Sequence, residues 1–258
     1  MSFKTKKSLG QHFLTDKNII SKIYHSVEAP ENSLLIEIGP GTGAITNFFV
    51  EKYSNYKVIE LDNRAIEVLR DKHPTLEIIE QDVLKVDWAA LIDGFNRVTI
   101  IGNLPYYITS PILFNILEIR HSIDSAYFMI QKEVAERIIA NPSTKDYGIL
   151  SVQTQLMSSP EILFNVSPNS FSPPPKVESS VIKLTFDRET LNCSDQNLKK
   201  VVRTAFNQRR KKLSNALKTL LGDILPDNFN FDERADHWTP DIYEKLTEVL
   251  EKNGTLDV

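Results

Sequence analysis

The chain has 258 residues, of which 41% are hydrophobic and 25% charged, and its formal net charge is −4. This length allows one large domain or a large and a small one, and the composition excludes disordered and fibrous proteins. No apolar run approaches the roughly 20 residues that cross a bilayer, no apolar segment follows the N-terminal lysines as in a secretory signal, and the single cysteine, Cys193, excludes an internal disulfide and a Cys-rich metal site. We therefore expect a cytoplasmic protein with no membrane and no metal partner.

The first 140 residues alternate strand-like and helical segments. Helical periodicity marks 64–71 and 112–119; the second helix has Thr109 or Ser110 as a possible cap and Pro111 at its first position. Strands alternating with helices predict right-handed crossovers and a doubly wound, mostly parallel α/β sheet. The predicted strands, short runs of apolar and β-branched residues, are 34–38, 56–60, 76–80, 97–101 and 126–130.

The pattern changes after residue 170. The segment 171–175, Phe-Ser-Pro-Pro-Pro, predicts a rigid loop that cannot lie inside a sheet, and 181–186 alternates like an antiparallel strand. Beyond residue 187 the pattern is only helical, which predicts a first domain over 1–186 and a small all-helical domain over 187–258. The predicted helices are 198–206, 212–221 and one that begins at Thr239 and Pro240.

The segment 34–43, Leu-Leu-Ile-Glu-Ile-Gly-Pro-Gly-Thr-Gly, predicts a buried strand that runs into a glycine-rich turn and a helix. Gly39 and Gly41 allow positive φ angles and the close approach of a ligand. Such a turn at the end of the first strand lies at the switch point of a doubly wound sheet. Because the spacing also satisfies the dinucleotide fingerprint, an NAD oxidoreductase is one interpretation.

An acidic residue lies near the end of each of the first three predicted strands. Glu37 could orient the glycine turn or meet the positive end of a cofactor, Glu60 could accept the hydroxyls of a ribose, and Asp82 could accept from an adenine amino group. S-adenosylmethionine has no pyrophosphate, so acids suit its sulfonium and amine better than phosphate-binding cations do. The three acids therefore favour S-adenosylmethionine as the cofactor.

The fourth predicted strand ends in the segment 101–107, Ile-Gly-Asn-Leu-Pro-Tyr-Tyr. The side-chain oxygen of Asn103 and the carbonyl of Leu104 can each accept one N–H bond from an exocyclic amine, which favours the tetrahedral nitrogen that attacks a methyl carbon. Tyr106 can stack on a flipped base and stabilise growing positive charge, and Pro105 fixes the backbone so that the carbonyl points outward. The segment predicts methyl transfer to an adenine amine.

Seven segments, in order and over nearly the whole chain, carry a resemblance to one family. The chain resembles the small-subunit ribosomal RNA adenine dimethyltransferases, although many members have Asn where this chain has His12 and Tyr107. The segments are 10–14 (Gly-Gln-His-Phe-Leu), 37–43, 81–84 (Gln-Asp-Val-Leu), 103–106 (Asn-Leu-Pro-Tyr), 131–133 (Gln-Lys-Glu), 171–179 and 206–212 (Phe-Asn-Gln-Arg-Arg-Lys-Lys).

The resemblance implies a Rossmann-like class I methyltransferase fold with a small helical C-terminal domain. It implies transfer of two methyl groups to each of two adjacent adenines near the 3′ end of 16S RNA in the small ribosomal subunit, with a role in subunit biogenesis. Phe171 would stack on the target base from the side opposite Tyr106. The cofactor-binding residues that the resemblance implies are His12, Leu14, Gly39, Glu60, Asp82 and Asn103. We expect Glu37, Gly41 and Val83 to bind the cofactor as well.

Basic residues are concentrated between Lys199 and Lys218, where eight of them occur with no acid, and in the N-terminal arm. We expect Arg209, Arg210, Lys211 and Lys212 to contact RNA phosphates or to support contact with the ribosomal subunit. Two further interpretations are a 23S RNA adenine methyltransferase of the macrolide-resistance type and a non-catalytic ribosome-assembly or nucleic-acid-binding factor on the same fold. No unusually apolar surface helix is predicted, so we expect a monomer.

Overall fold

The structure is a computed structural model that describes residues 12–30, 32–187, 190–222 and 225–256. Residue contacts divide the chain into two compact units. The first comprises Met1–Ala135 with Glu161–Phe186, and the second comprises Glu136–Pro160 with Asp187–Val258. The basic residues Lys4, Lys6 and Lys7 of the N-terminal arm lie outside the described residues.

The first unit is built around a seven-stranded sheet. The strands of this sheet and of a separate pair are β1 Phe13–Leu14, β2 Leu34–Ile38, β3 Asn55–Glu60, β4 Glu77–Glu80, β5 Val98–Asn103, β6 Ser125–Gln131, β7 Ser159–Val166, β8 Phe171–Ser172 and β9 Ser179–Thr185. The order in the sheet is β4-β3-β2-β5-β6-β9-β7; its first five strands run parallel, and β9 is antiparallel to β6. A separate antiparallel pair joins β1 and β8.

Helices connect the strands and make up most of the second unit. The helices are α1 Lys17–Ser26, α2 Thr46–Phe49, α3 Asn63–Lys72, α4 Trp88–Ile92, α5 Thr109–Glu118, α6 Lys132–Ile138, α7 Ile149–Met157, α8 Asp195–Asn207, α9 Leu213–Ala216, α10 Lys218–Leu221 and α11 Pro240–Lys252. Across the described ranges, no helix is long and apolar enough to span a membrane.

The strand order reverses between β2 and β5, which are adjacent in the sheet although two strands separate them in the chain. Every residue of β2 is buried, and Ile38 at its end pairs with Ile59 of β3 and Gly102 of β5. A Cβ atom on Gly102 would lie 2.7 Å from the carbonyl oxygen of Ile38, so the strands can approach here only because this residue is glycine. Ligands of doubly wound folds bind in the crevice at such a reversal.

The predicted doubly wound, mostly parallel sheet is confirmed, and each predicted strand matches an observed one within two residues. The predicted cap of the helix after β5 was wrong. Helix α5 begins at Thr109, so the capping position is Ile108, whose side chain cannot accept a hydrogen bond; the Thr109 hydroxyl donates to the Pro105 carbonyl at 3.1 Å. The segment 171–175 was predicted to be a rigid loop that lies in no sheet, but Phe171 and Ser172 form β8 of the two-stranded sheet with β1.

The second unit is helical and packs around buried aromatic residues. The hydroxyl of Tyr147 donates to the carbonyl of Trp238 at 2.9 Å, and that of Tyr243 donates to the carbonyl of Ala235 at 2.6 Å. The predicted helix over 212–221 is divided into α9 and α10. The segment 136–160, which the sequence placed in the first domain, groups with this unit by its contacts. The division into functional domains at residues 186 and 187 stays a prediction.

Candidate active site

A cavity of about 220 Å³ lies at the carboxyl ends of β2, β3 and β5, in the crevice where the strand order reverses. It lies entirely within the first unit. Nearly all of the sequence-predicted site residues of this unit line it, in particular His12, Leu14, Glu37, Gly39, Gly41, Glu60, Asp82, Val83, Asn103, Leu104, Pro105 and Tyr106. Segments that are distant in the chain are therefore brought together as the sequence predicted.

The glycine turn after β2 forms one wall of the cavity. Gly39 and Gly41 have φ angles of +66° and +56°, which side chains rarely adopt. A Cβ atom on Gly41 would lie 2.7 Å from Cε1 of Phe13, so the turn can lie against β1 only without a side chain here. The N–H of Gly41 donates to Oε2 of Glu60 at 3.0 Å, which joins the turn to the end of β3.

The carboxylate of Glu60 is held by backbone groups alone. Its Oε1 accepts from the N–H groups of Leu61 and Asp62, both at 2.9 Å, and its Oε2 accepts from Gly41. Burial raises the pKa of Glu60 above its usual value, although these three hydrogen bonds act in the opposite direction. A carboxylate offers about four acceptor sites, so Glu60 is fixed in place and can still accept from a ligand hydroxyl.

Glu37 lies in β2, the strand that pairs with β3, and is 1% exposed. Its Oε2 accepts from the Thr46 hydroxyl at 2.6 Å and from the hydroxyl of Tyr56, which is also buried. Burial raises the pKa of Glu37 to about 7, against the effect of the two hydroxyl donors. The side chain therefore connects β2 to α2 and β3 beneath the glycine turn.

Asp82 lies just after the end of β4. Its Oδ1 accepts from the N–H of Leu84 at 3.0 Å and so begins the short 3-10 turn Val83–Lys85. Val83 is buried at the cavity wall, while Asp82 is only half-buried. An apolar surface and a carboxylate thus lie side by side, as an adenine ring and its amino group require.

The turn after β5 is fixed by its own hydrogen bonds. The N–H of Leu104 donates to the Met129 carbonyl at 3.0 Å, and the Pro105 carbonyl accepts from the Ile108 N–H at 3.2 Å and from the Thr109 hydroxyl. Among the described residues, no backbone N–H outside the helices and strands donates to the Leu104 carbonyl. The amide nitrogen of Asn103 donates to the His12 carbonyl at 3.2 Å, so its oxygen is the end that can accept.

Tyr106 ends the same turn, and both its hydroxyl and its ring make contacts that hold the side chain in place. Its hydroxyl forms a 2.7 Å hydrogen bond with the hydroxyl of Ser179, a fully buried residue at the start of β9. The ring stacks against the imidazole of His12, with centroids 5.8 Å apart and planes inclined by 25°. Burial raises the pKa of Tyr106, so the phenol stays neutral.

Phe171 is the predicted catalytic residue that the structure does not bring to the cavity. It is absent from the described lining, is 4% exposed and packs in the core beside Leu14, with which it pairs between β8 and β1. The pairing of the two strands turns the ring inward. Its stacking on a base from the side opposite Tyr106 stays a prediction, and it requires the ring to leave this position.

The charge of the cavity is negative. The carboxylates of Glu60 and Asp82 line it, and none of the described lining residues is lysine or arginine. In the part of the chain that the structure describes, no group of three or more His, Cys, Asp or Glu side chains could hold a metal ion. The lining suits a ligand with hydroxyl groups, an amino group and positive charge better than one with a pyrophosphate.

Comparison with known proteins agrees with this geometry. Residues 2–234 match the family described as ribosomal RNA adenine dimethylase. The chain belongs to the ribosomal RNA adenine dimethylase family. This confirms the resemblance found in the sequence and decides against an NAD oxidoreductase.

Relatives within the ribosomal RNA adenine dimethylase family extend over nearly the full chain. The ribosomal RNA small subunit methyltransferase A of Parabacteroides distasonis is 42% identical over 97% of this chain and 95% of its own length. That of Salinibacter ruber is 43% identical over 98% of this chain and 87% of its own.

Two solved structures support the same fold. A dimethyladenosine transferase from Plasmodium falciparum has a TM-score of 0.80 and 26% identity, covering 94% of this chain and 98% of its own. The 23S rRNA methyltransferase ErmE has a TM-score of 0.66 and 25% identity, covering 93% and 99%. Both share the fold over most of their length.

The four basic residues predicted to bind RNA lie in the second unit between α8 and α9. Arg209 donates to the Thr144 carbonyl at 3.0 Å and lies 3.5 Å from the Asp236 carboxylate, and Lys212 pairs with Asp232 at 2.8 Å. Arg210 and Lys211 are exposed and have no carboxylate partner within the described ranges. Two of the four thus support the helical unit, and two remain available to phosphates.

Several residues of this dimethylase site were not singled out from the sequence. Phe13 lines the cavity, Tyr56 and Thr46 hold Glu37, and Ser179 holds Tyr106. Their contacts join segments far apart in the chain, which periodicity does not reveal. The available signals were the positions of Phe13 within the 10–14 motif and of Ser179 at the end of the 171–179 motif.

Proposed function

We propose that this protein transfers methyl groups from S-adenosylmethionine to the 6-amino groups of two adjacent adenines near the 3′ end of 16S RNA in the small ribosomal subunit. The observation that carries the proposal is the fixed turn Asn103–Tyr106 at the edge of an acidic, glycine-walled cavity. Relatives named ribosomal RNA small subunit methyltransferase A, 42% to 43% identical over nearly the whole chain, support the choice of the small subunit.

The residues of the cavity fit S-adenosylmethionine, which supplies an electrophilic methyl group when bound. Glu60 would accept a ribose hydroxyl, and Asp82 would accept from the adenine amino group of the cofactor beside Val83. Gly39 and Gly41, which have no side chains, would let the ligand approach the backbone, and their positive φ angles favour glycine at both positions. Glu37 would act indirectly, through its hydrogen bonds to Thr46 of α2 and Tyr56 of β3. His12 and Leu14 would close the opposite wall.

Two acceptors of the turn after β5 would orient the target amine. The Asn103 oxygen and the Leu104 carbonyl would each accept one N–H bond, which draws the nitrogen lone pair out of conjugation with the purine ring. This role is supported by the hydrogen bonds that occupy the Asn103 nitrogen and the Pro105 carbonyl. Because an N-methyl ammonium product loses its proton readily, no side chain of unusual basicity is needed.

Tyr106 would stack on the adenine after it has left the RNA helix and stabilise the positive charge that develops on the nitrogen. Arg210 and Lys211 would contact RNA phosphates that set the register of the substrate. The cytoplasmic location and the monomeric state expected from the sequence stay predictions.

The proposal is tested by methyl transfer from labelled S-adenosylmethionine to undermethylated small subunits, followed by digestion of the RNA to nucleosides. We expect dimethyladenosine from the wild type and at least a 100-fold lower rate from Asn103→Ala, because one acceptor of the amine is lost. Transfer to large-subunit RNA alone would favour the macrolide-resistance activity. No transfer to either RNA, with S-adenosylmethionine still bound, would favour a non-catalytic assembly factor.

A further inference from the structure

His12 contacts three separate parts of the site. Its ring stacks on Tyr106, its Nδ1–H donates to the Pro173 carbonyl at 2.8 Å, and its backbone carbonyl accepts from the amide of Asn103. Pro173 lies just after β8, and Tyr106 lies just after β5. A single half-buried side chain therefore bridges the loop after β8 and the turn that carries the acceptors of the amine.

The stack leaves Tyr106 with one open face. Two rings 5.8 Å apart and inclined by 25° form an offset stacked pair, in which each ring covers part of one face of the other. The hydrogen bond to Ser179 fixes the position of the phenol oxygen and so the axis of the side chain, which keeps the ring beside His12. A base that stacks on Tyr106 must then use the face opposite His12.

The hydrogen bond to Pro173 determines where the imidazole lies. Without it the ring could rotate about its own side-chain bonds, because the stacking contact alone is worth only about 1 kcal/mol. Because Nδ1 is bound to a backbone carbonyl and one face of the ring lies against Tyr106, the imidazole has one orientation. An asparagine at this position could reach the carbonyl but could not cover the tyrosine ring.

We propose that the His12 side chain is a positioning residue that backs the Tyr106 ring and directs the target adenine to its opposite face. This inference rests on the proposed function, because it assigns the tyrosine to the base and not to the cofactor. It separates two roles of one residue: the backbone of His12 belongs to the cofactor wall, and the imidazole belongs to the base pocket.

The test compares His12→Ala, His12→Asn and His12→Phe, with His25→Ala as the matched control. His25 is an exposed histidine of α1 that bonds within its own helix and does not line the cavity. For each protein, kcat and KM for small subunits, the Kd for S-adenosylmethionine by calorimetry, and a crystal structure are obtained. Thermal unfolding checks that each variant is folded.

We expect His12→Ala and His12→Asn to lower kcat roughly 10- to 100-fold, the effect of misplacing a reacting group by about 1 Å. The Kd for S-adenosylmethionine should change less than about threefold, because the backbone of residue 12 is retained. His12→Phe keeps a ring that can stack but loses the bond to Pro173, so it should recover only part of kcat, to within about tenfold of wild type. In the His12→Ala crystal, the Tyr106 ring should be displaced while Asn103 keeps its bond to the carbonyl of residue 12.

Three results would overturn the inference: a kcat for His12→Ala within twofold of wild type, a loss confined to the Kd for S-adenosylmethionine, or a higher kcat, which would mean that the imidazole occupies the place of the base. If the wild type methylates neither ribosomal RNA, the proposed function fails, and the crystal structures still decide this point. A Tyr106 ring in the same place in His12→Ala then refutes the positioning role, and a displaced ring supports it.

Discussion

The side-chain nitrogen of Asn103 donates to the backbone carbonyl of His12 at 3.2 Å, which joins the end of β5 to the residue before β1. The bond determines which end of the amide faces the substrate. An amide presents one donor end and one acceptor end, and the donor end is already in use. The chemistry that we propose therefore depends on a contact between residues 91 positions apart in the chain.

Asn103→Asp should inactivate the enzyme although it keeps an acceptor oxygen. The second carboxylate oxygen would face the His12 carbonyl, and repulsion between the two acceptors would turn the side chain away from the amine. We expect kcat for small-subunit methylation to fall at least about 100-fold, with the free energy of unfolding lowered by only about 1 kcal/mol. Asn169→Asp, an exposed site, is the control. A rate for Asn103→Asp within threefold of wild type would contradict this role.

Gly41→Ala should weaken cofactor binding more than it weakens the fold. The new Cβ would lie 2.7 Å from Phe13 Cε1 at a φ of +56°, so the turn must move away from β1 and from Glu60. We expect the Kd for S-adenosylmethionine to rise at least about tenfold, which corresponds to about 1.4 kcal/mol, as measured by calorimetry.

Gly94→Ala is the matched control for this prediction. Gly94 also has a positive φ, +80°, but a Cβ there would meet no atom within 4 Å. It should cost about 1–2 kcal/mol of unfolding free energy from backbone strain alone and leave the Kd unchanged. Equal effects of the two substitutions on the Kd would show that the closeness of the turn to β1 is irrelevant to binding.

Local patterns predicted the strands and the cavity well, and long-range contacts account for what they missed. The buried run before Gly39 and the glycines themselves need only neighbouring residues to be interpreted, and both were confirmed. The cap of α5 was misplaced because the helix begins at Thr109, which leaves Ile108 at the capping position. Phe171 is buried because β8 pairs with β1, a contact between distant segments that no periodicity contains.

Glu37→Gln should remove a pH dependence of stability. Burial raises the pKa of Glu37 from 4.5 to about 7, so the folded state holds the proton more tightly than the unfolded state does. The stability that this proton contributes is complete below pH 4.5 and is lost as the pH rises through 7. Glutamine has the same shape, and its carbonyl oxygen can accept from both Thr46 and Tyr56.

Urea unfolding at pH 5.5 and pH 8 measures this effect. Between these pH values the wild type should lose about 2 kcal/mol of unfolding free energy more than Glu37→Gln does. Glu67→Gln, at an exposed site on α3, should follow the wild type at both pH values. Parallel curves for wild type and Glu37→Gln would mean that the carboxyl is not protonated in the folded protein at pH 5.5.

The basic segment between α8 and α9 should divide into structural and RNA-binding residues. Arg209 donates to the Thr144 carbonyl and lies near the Asp236 carboxylate. Arg209→Ala should therefore lower the unfolding free energy of the helical unit by about 1 kcal/mol. Most of this comes from the hydrogen bond, because an ion pair that is half open to solvent contributes little. Arg210 and Lys211 are exposed, so their double alanine variant should unfold like the wild type but bind small subunits less tightly. If both contact phosphates, the plot of log K against log salt concentration should become less steep by about 1.5, since each contact contributes roughly 0.7 to 0.9. Unchanged affinity and slope in the double variant would remove these two residues from the RNA interface and leave the segment with a structural role alone.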